Sequence, residues 1–365
     1  MRFLFPLLAV FFLTIPPASA QIKLKTPTKL PSMQCGIYFI VPMSIKSKLT
    51  KETITLNMLL DTGAYESFLD PDSHERITGK SVKHRPYTKI PKSNVGDFKI
   101  GRRHVYLTEL DPIELVMGVK IDGILGFSVF ENTLLTLDYP KGEIYVSRGH
   151  IPAPNGADIF STSGPDDRPW INVRLGEKKR KLLMDTAAGE MLILSSLKDI
   201  NTYTSAVPTS VSQGLTDTDI SYSSRARDNL TFGKHIIHEP IVSMIPGENI
   251  FSAQLMKNYR LTFDTKNKRV QINNPTGVAP QMPSQQRSGA LIAPVNGKLR
   301  ILEVSPTSPA AKAGLKAGDT IAAIDGKIPE RRGCDLHAIP ENSTLTFKRE
   351  NKEFTHTMKR EVLVK

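Results

Sequence analysis

Hydrophobic runs of strand length follow one another along most of the chain. Residues 37–41 form one such run, and residues 53–60 alternate imperfectly before turning wholly apolar just ahead of an aspartate. A run that alternates and then becomes continuous is typical of a strand entering a buried sheet. Residues 170–175 and 181–184 repeat this order of strand, turn and strand ahead of a second aspartate. Long amphipathic helical patterns are scarce, so the sequence predicts a mostly β fold.

Two similar loops follow these runs. Residues 61–64 read Asp-Thr-Gly-Ala, and residues 185–189 read Asp-Thr-Ala-Ala-Gly. Each half then continues to a strand-like run that ends in another aspartate. Asp138 follows Asp61 by 77 residues, and Asp264 follows Asp185 by 79 residues. The shared start, shared end and near-equal length predict a unit present in two copies. We expect Asp138 and Asp264 to be turn residues.

A third unit begins after a Pro- and Gln-rich stretch at residues 280–286, which has the composition of an interdomain linker. Residues 21–35, rich in Lys, Thr and Pro, are expected to form a loose leader. The predicted organisation is a signal peptide (1–20), a first lobe (21–150), a second lobe (151–275), a linker (276–286) and a C-terminal domain (287–365).

The first twenty residues have the features of a secretory signal peptide. Arg2 precedes an apolar stretch at residues 3–15, and an Ala-Ser-Ala site predicts cleavage between Ala20 and Gln21. The apolar stretch is too short for a membrane span. We therefore expect an exported protein, periplasmic or secreted, with no transmembrane segment.

The cysteine content and the net charge limit the classes of site and partner that the sequence predicts. The export signal allows a disulfide between Cys35 and Cys334, but two unpaired thiols are the favoured interpretation, and their spacing fits no metal or redox motif. The formal net charge of +12 favours anionic surfaces or acidic peptides. The chain has no nucleic-acid-binding signature, no zinc-ligand spacing and no nucleophile elbow, so no nucleic-acid partner, metal or cofactor is predicted.

Paired aspartates have a definite chemistry. Two carboxyl groups a hydrogen bond apart share one proton, because the second ionisation is opposed by the first charge. One can deprotonate a water while the other polarises a peptide carbonyl, which hydrolyses the bond without a covalent intermediate. Thr62 and Thr186 can hydrogen-bond across a two-fold axis and brace the loops, and Gly63 leaves room for backbone to approach the substrate. The alternative is that Asp61 and Asp185 only cap β-turns.

In these features the chain resembles the retropepsin-like aspartic proteases, in the fused two-lobe form of bacterial envelope proteins. Residues 60–64 match the family's catalytic loop, and residues 122–127 resemble its hydrophobic segment ended by glycine. The resemblance covers about residues 35–275 and implies one pepsin-type β barrel per lobe, a substrate cleft between the lobes, and a monomer that needs no cofactor. The segment expected to pack beside the catalytic loop comprises Ile124, Leu125 and Gly126.

The second lobe departs from this pattern. Ala187 stands where the first loop has Gly63, and Ser252 stands where the first lobe has Gly126. A methyl group at position 187 would crowd the substrate or displace the loop, and catalytic geometry tolerates little displacement. Tyr87 is a candidate for a flap over the cleft, although a surface or packing tyrosine is the favoured interpretation.

Residues 287–360 resemble a PDZ domain of the bacterial envelope-protease type, with the closest match over residues 304–326. The resemblance implies capture of a peptide as an added strand, with its carboxylate held by exposed amides. The expected peptide-binding residues are Gly289, Ala290, Leu291 and Ile292. An inert cap on the barrels is the alternative.

The sequence thus predicts an exported aspartic-type endopeptidase with PDZ-assisted recruitment of peptide or protein substrates. The alternatives are a catalytically impaired homologue that binds peptides in the cell envelope, and a PDZ domain that carries the function with the barrels as its scaffold.

Overall fold

The computed structural model describes residues 26–81, 87–215, 217–327, 334, 341–350 and 352–365. The fold is mostly β, with 48% strand and 9% helix, which confirms the predicted class. The predicted signal peptide and its cleavage site lie outside the described residues. No helix in the described part of the chain is long and apolar enough to cross a membrane.

In the described residues, the first half consists of short strands, two α-helices and two short 3-10 helices, Phe127–Phe130 and Tyr139–Lys141. The strands are β1 (Thr28–Leu30), β2 (Met33–Cys35), β3 (Tyr38–Lys46), β4 (Thr53–Asp61), β5 (Phe68–Leu69), β6 (Tyr87–Ile90), β7 (Ser93–Val95), β8 (Phe98–Ile100), β9 (Arg103–Leu107), β10 (Gly123–Gly126), β11 (Leu134–Asp138) and β12 (Glu143–Ser147). The helices are α1 (Pro71–Thr78) and α2 (Asp111–Met117).

The second half and the C-terminal unit continue in the same style. The strands of the second half are β13 (Ile159–Ser161), β14 (Trp170–Leu175), β15 (Lys178–Asp185), β16 (Leu192–Leu194), β17 (Val207–Gln213), β18 (Thr218–Arg225), β19 (Leu230–Phe232), β20 (His235–Ile237), β21 (Ile241–Met244), β22 (Ile250–Ser252), β23 (Arg260–Asp264) and β24 (Arg269–Asn273), with helix α3 (Ala253–Met256). The C-terminal unit has β25 (Gln285–Arg287), β26 (Ala290–Val295), β27 (Lys298–Val304), α4 (Pro309–Lys312), β28 (Thr320–Ile324), β29 (Thr344–Arg349), β30 (Lys352–Thr357) and β31 (Glu361–Val364).

Each half builds one large sheet around the strand that ends in its loop aspartate. The first sheet has the order β6-β9-β5-β10-β4-β3-β7-β8, with β2 paired to β3. The second has the order β17-β18-β21-β16-β22-β15-β14-β19-β20. In both sheets the aspartate strand runs antiparallel to the strand before it in sequence and parallel to a later strand, β4 beside β3 and β10, and β15 beside β14 and β22. The two halves therefore repeat one strand arrangement.

A six-stranded sheet joins the halves, in the order β1-β12-β11-β23-β24-β13. Its central strands, β11 and β23, are antiparallel, and Thr136 lies opposite Thr262 with their hydroxyl oxygens 3.0 Å apart. An antiparallel pair of equivalent strands has a two-fold axis at its centre. The two halves are therefore related by a local two-fold rotation.

Of the aspartates at the ends of these strands, Asp264 acts in a turn, as predicted, whereas Asp138 contacts a residue of the neighbouring strand. Asp264 is buried and accepts hydrogen bonds from the backbone amides of Ile151 (3.1 Å) and Asn267 (3.0 Å). Asp138 is also buried and faces Arg260 at 3.8 Å. Neither lines the cavity described below.

The apolar runs of the sequence form the hydrophobic core. The largest fully buried side chains include Phe39, Phe130, Phe232, Phe251 and Phe263, which lie in one apolar cluster that continues through both halves. Burying a side chain of this size stabilises the fold by about 1.5–3 kcal/mol. Residues of both aspartate strands, including Leu60 and Met184, belong to this one continuous core.

Two expectations about the ends of the chain are wrong. Residues 28–30 and 33–35 are strands, and β1 pairs with β12 in the joining sheet, so the described part of the stretch predicted as a loose leader belongs to the fold. The favoured unpaired thiols are also wrong, because Cys35 and Cys334 form a disulfide with their Cα atoms 5.0 Å apart. Their separation of 299 residues carries no local signal, and only the docking of the C-terminal unit brings them together.

The C-terminal unit has a sheet of its own, in the order β26-β27-β28-β29-β30, over a small core of its own. Strand β25 begins within the predicted linker and pairs with β31. The unit packs on the β17–β18 hairpin of the second half, where Tyr222 donates to Glu303 (3.1 Å), and Arg225 donates to the carbonyl of Met282 (2.8 Å) in the segment before the unit. The C-terminal unit therefore sits beside the second lobe and not at the end of a free tether.

Candidate active site

The two loop aspartates end equivalent strands. Asp61 is the last residue of β4 and Asp185 is the last residue of β15. In the parallel pairings, Gly126 lies opposite Asp61 and Ser252 lies opposite Asp185. The alignment of Ser252 with Gly126 inferred from the sequence is thus present in the strand register. Each aspartate emerges from a wholly apolar strand end, so both carboxyl groups reach the same buried edge.

The threonines that follow the aspartates join the two loops. The amide of Thr62 donates to the hydroxyl of Thr186 (3.0 Å), and the amide of Thr186 donates to the hydroxyl of Thr62 (3.2 Å). Each hydroxyl then donates across the axis, Thr62 to the carbonyl of Met184 (2.7 Å) and Thr186 to that of Leu60 (2.8 Å). Both threonines are fully buried. Each such bond contributes about 1 kcal/mol, and together they fix the spacing of the loops.

The carboxyl groups of Asp61 and Asp185 are hydrogen-bonded to each other. Backbone amides orient both groups. Asp61 accepts from Gly63 (2.7 Å) and Ala64 (3.0 Å) through Oδ1, and Asp185 accepts from Ala187 (2.7 Å) through Oδ1. The two groups therefore face each other in set orientations.

This arrangement perturbs both acids. Burial raises the pKa of Asp61 well above its ordinary value, and the charge of Asp185 raises it further, against the opposing amide hydrogen bonds. Burial also raises the pKa of Asp185, but the Ala187 amide, the hydrogen bond from Asp61 and the charge of Arg168 all act to lower that pKa. Both pKa values are thus raised, so the pair shares one proton, and the Ala187 amide and Arg168 stabilise negative charge on Asp185.

Glycine is required at two positions in the first lobe. A Cβ atom on Gly63 would lie 2.3 Å from Cγ of Asp185, so the space expected to admit substrate backbone is occupied by the partner carboxyl group. A Cβ atom on Gly126 would lie 2.2 Å from the carbonyl oxygen of Glu66. Both glycines permit close approach rather than an unusual backbone angle.

The second lobe accommodates its two departures. The methyl group of Ala187 packs against an apolar cluster that includes Leu59 and Ile124. The hydroxyl of Ser252 donates to the carbonyl of Met191 and accepts from the amide of Leu255 (3.4 Å). The second loop is not displaced from the first, because the hydrogen bonds of Asp185 to the amide of Ala187 and to Asp61 are both present.

Arg168 is a site residue that sequence reasoning missed. Its guanidinium donates to the carbonyl of Gly63 (3.0 Å), pairs with Asp166 (2.7 Å) and Glu248 (2.7 Å), and lies 5.4 Å from the ring centre of Trp170. It is the charge that lowers the pKa of Asp185. It lies in the connector before β14, next to Asp166 and Asp167, where no strand or helix periodicity singles it out.

Tyr38 and Glu190 were also missed. Burial raises the pKa of Tyr38, as do the charges of Glu190 and Asp185, so its hydroxyl stays neutral. This hydroxyl faces Gly189, where a Cβ atom would lie 2.2 Å from it. Glu190 accepts from the hydroxyls of Ser210 and Ser243. In the sequence, Tyr38 is only one residue of a predicted strand, and the folded sheet is what brings it to the site.

A cavity of about 610 Å³ opens over the carboxyl pair. Its lining includes Asp61, Asp185 and Ile124 but not Leu125 or Gly126. The four residues predicted to bind peptide in the C-terminal unit line this same cavity: Gly289, Ala290, Leu291 and Ile292. Tyr87 is 44% exposed and does not line it, in keeping with the favoured surface interpretation.

Comparison with known proteins identifies one part of the chain. A family model described as a PDZ domain matches residues 300–329, which confirms the predicted PDZ domain in the C-terminal unit. No curated protein matches the chain. Among the described residues, no group of three or more His, Cys, Asp or Glu side chains is arranged to hold a metal ion.

Proposed function

We propose that the chain is an exported aspartic-type endopeptidase of the retropepsin-like, two-lobe form, which hydrolyses peptide bonds with Asp61 and Asp185. The carboxyl pair is the observation that carries the proposal. Two aspartates from duplicated strands share a hydrogen bond, are braced by reciprocal threonine bonds and open into a cavity of peptide-binding size. β-Turn capping alone requires neither the contact nor the bracing.

The geometry supports a balanced reaction. Ionised Asp185 takes a proton from a water whose oxygen attacks the peptide carbonyl carbon, while protonated Asp61 gives its proton to the carbonyl oxygen. The resulting tetrahedral diol collapses as Asp185 returns its proton to the departing nitrogen and Asp61 recovers a proton from a diol hydroxyl. The carbon–nitrogen bond breaks, and the pair regains its starting protonation.

The surrounding residues serve this cycle. Arg168 favours the ionised form of Asp185, which keeps a base available. Thr62 and Thr186 hold the loops at the separation that the shared proton requires, and a displacement of about 1 Å at such a centre costs about a hundredfold in rate. Both aspartates come from one chain, so the proposed enzyme acts as a monomer.

The PDZ domain extends the proposal to recruitment. Such domains bind a peptide by adding it as a strand to a sheet edge. Because the predicted peptide-binding residues line the cavity of the carboxyl pair, a recruited peptide would lie at the site of hydrolysis. The signal-peptide features of residues 1–20 support a location of the proposed activity in the periplasm or outside the cell.

Cleavage of denatured casein between about pH 3 and 7 tests the proposal, a range that spans the expected titration of the pair. We expect wild type to cleave, Asp61→Asn and Asp185→Asn each to lose activity, and Asp97→Asn, an exposed aspartate in the turn between β7 and β8, to match wild type. Equal cleavage by all four proteins would refute the assignment.

The second candidate is a peptide-binding protein without hydrolysis. The observation that favours it is that residues 289–292 of the PDZ domain line the cavity, because a PDZ sheet edge binds a peptide without any catalysis. Retained binding of casein peptides with no cleavage by any form would select it. Truncation at Pro280 then tests whether binding belongs to the PDZ domain or to the lobes.

A further inference from the structure

The PDZ domain closes one side of the cavity over the carboxyl pair. Three parts of the chain supply the lining: α2 of the first lobe through Ile113 and Met117, residues 209–215 of the second lobe, and residues 287–292 of the C-terminal unit. Strand β26 packs directly against β17 and also contacts α2. A polypeptide that is cut in its interior has to enter the site and leave it again. The PDZ domain therefore lies as a cover across the path of a long substrate.

The second lobe holds one edge of this cover through polar contacts and through the chain itself. The hydroxyl of Ser305 donates to the carbonyl of Pro208 in β17, and strand β31 packs against β17 and β18. The connection from β24 arrives on the same side, where Arg225 of β18 donates to the carbonyl of Met282 (2.8 Å). The cover stays attached along this edge even when its other edge is free, so this edge has the properties of a hinge.

The first lobe holds the opposite edge through the disulfide. Cys35 ends β2, Cys334 belongs to the C-terminal unit, and both line the cavity. Around the bond, α2 contacts β26, and Ile113 and Met117 share an apolar cluster with the two cysteines. Non-covalent contacts between domains of one chain commonly permit relative motion. The disulfide is therefore the bond that keeps this edge closed, and it joins the cover to the lobe that is more distant along the chain.

An external reductant is needed to open this bond. The sequence contains two cysteines, which are the bonded pair, so the chain has no further thiol to attack the disulfide. Cys334 is the more exposed of the two and offers the point of attack. One thiolate of a dithiol attacks its sulfur, the sulfur–sulfur bond breaks, and Cys35 leaves as a thiolate. The second thiol of the reductant then resolves the mixed disulfide, so two electrons and two protons pass to the chain and the reductant becomes a disulfide.

We propose that the PDZ domain is a redox-controlled cover of the active site. While Cys35 and Cys334 are bonded, the cover is fixed to both lobes and hinders the entry of a long polypeptide. After reduction by a dithiol, the cover turns about its contacts with the second lobe, and the site opens along the first lobe. This inference rests on the proposed hydrolase function and adds its regulation.

The test compares oxidised protein with protein reduced by dithiothreitol, and intact mass spectrometry verifies the state of the disulfide. The substrates are denatured casein and a randomised library of quenched fluorescent hexapeptides, which are short enough to enter from one side. If the open state is populated at about 10% or less in the oxidised protein, reduction raises kcat/KM for casein by about tenfold or more. The hexapeptides should gain much less, because they do not need the cover to move.

The matched control is the double variant Cys35→Ser and Cys334→Ser. It should cleave casein at the rate of reduced wild type and should not respond to dithiothreitol, since it has no cysteine left. Hydrogen–deuterium exchange gives a readout that needs no cleavage. Reduction should speed the exchange of amides in α2 and β26, which face each other at the opening edge, and should leave β11 and β23 of the joining sheet unchanged.

The outcomes separate this inference from the hydrolase proposal. Casein cleavage that is unchanged by complete reduction, or that falls together with hexapeptide cleavage and Tm, would show that the disulfide only stabilises the fold, and the hydrolase would stand. An equal gain for both substrates would also overturn the cover, because its effect depends on substrate length. If no form cleaves but exchange in α2 and β26 rises on reduction, the hydrolase proposal fails while the redox-controlled cover is supported. No cleavage and no change in exchange would overturn both.

Discussion

Replacing Gly63 by alanine tests the close approach of the two carboxyl groups. The added Cβ atom would lie 2.3 Å from Cγ of Asp185 and 2.4 and 2.8 Å from its two oxygens, where ordinary contacts begin at 3.4 Å. The Asp185 carboxyl cannot simply rotate away, because the amide of Ala187 and the carboxyl of Asp61 hold it. The pair must therefore separate by about 1 Å, which costs about a hundredfold in kcat/KM. Overpacking should also destabilise the fold by about 1–3 kcal/mol.

The assay is cleavage of a quenched fluorescent peptide below the melting temperature of every variant, with thermal unfolding measured in parallel. Ala187→Gly is the matched control in the other loop, since it deletes a methyl that packs on an apolar cluster and should leave kcat/KM close to that of wild type. If Gly63→Ala retains wild-type kcat/KM, the carboxyl groups are not held in the contact described here and the reasoning is refuted.

Three further predictions concern the same site. Thr62→Val leaves two buried backbone groups unpaired and should lower the free energy of unfolding by about 2–4 kcal/mol in urea titrations, whereas Thr62→Ser keeps the hydroxyl and should lose much less. The folded-state pKa of Asp61 is raised above its unfolded value, so the neutral form contributes stability below the unfolded pKa, and this contribution is lost as pH rises through the folded pKa. The Tm of Asp61→Asn should therefore rise relative to that of wild type from about pH 4 to 7, and a difference in Tm that does not change with pH would contradict this. Arg168→Gln removes a charge that lowers the pKa of Asp185 and should shift the acid limb of the kcat/KM profile to higher pH. The control is Arg174→Gln, near the end of β14, where the arginine pairs with Glu177, and this variant should leave the acid limb in place.

Local patterns in the sequence were enough to predict the mostly β class and to select the two loops whose aspartates meet. The strand register also agrees with the pairing of Ser252 with Gly126 inferred from spacing. These features could be predicted because each is encoded within a short segment of the sequence and appears in both halves. Repetition turned a common turn motif into a specific hypothesis.

Long-range contacts were not predictable in the same way. The disulfide between Cys35 and Cys334 depends on the docking of the C-terminal unit, which no periodicity encodes. Arg168, in the connector before β14, and Tyr38, at the start of β3, reach the site only because the two large sheets pack with their aspartate strands together. The shared cavity of the PDZ edge and the carboxyl pair has the same origin, since it depends on how two separately folded sheets pack.

The most direct test of the account is a carbon-13 NMR titration of protein labelled at the aspartate carboxyl carbons, with Asp185→Asn as the comparison. We predict that the Asp61 signal titrates well above the ordinary aspartate pKa of about 3.9 in wild type, and at lower pH once the charge at position 185 is gone. An Asp61 signal that titrates near the ordinary value and ignores the substitution would show that the two carboxyl groups share no proton.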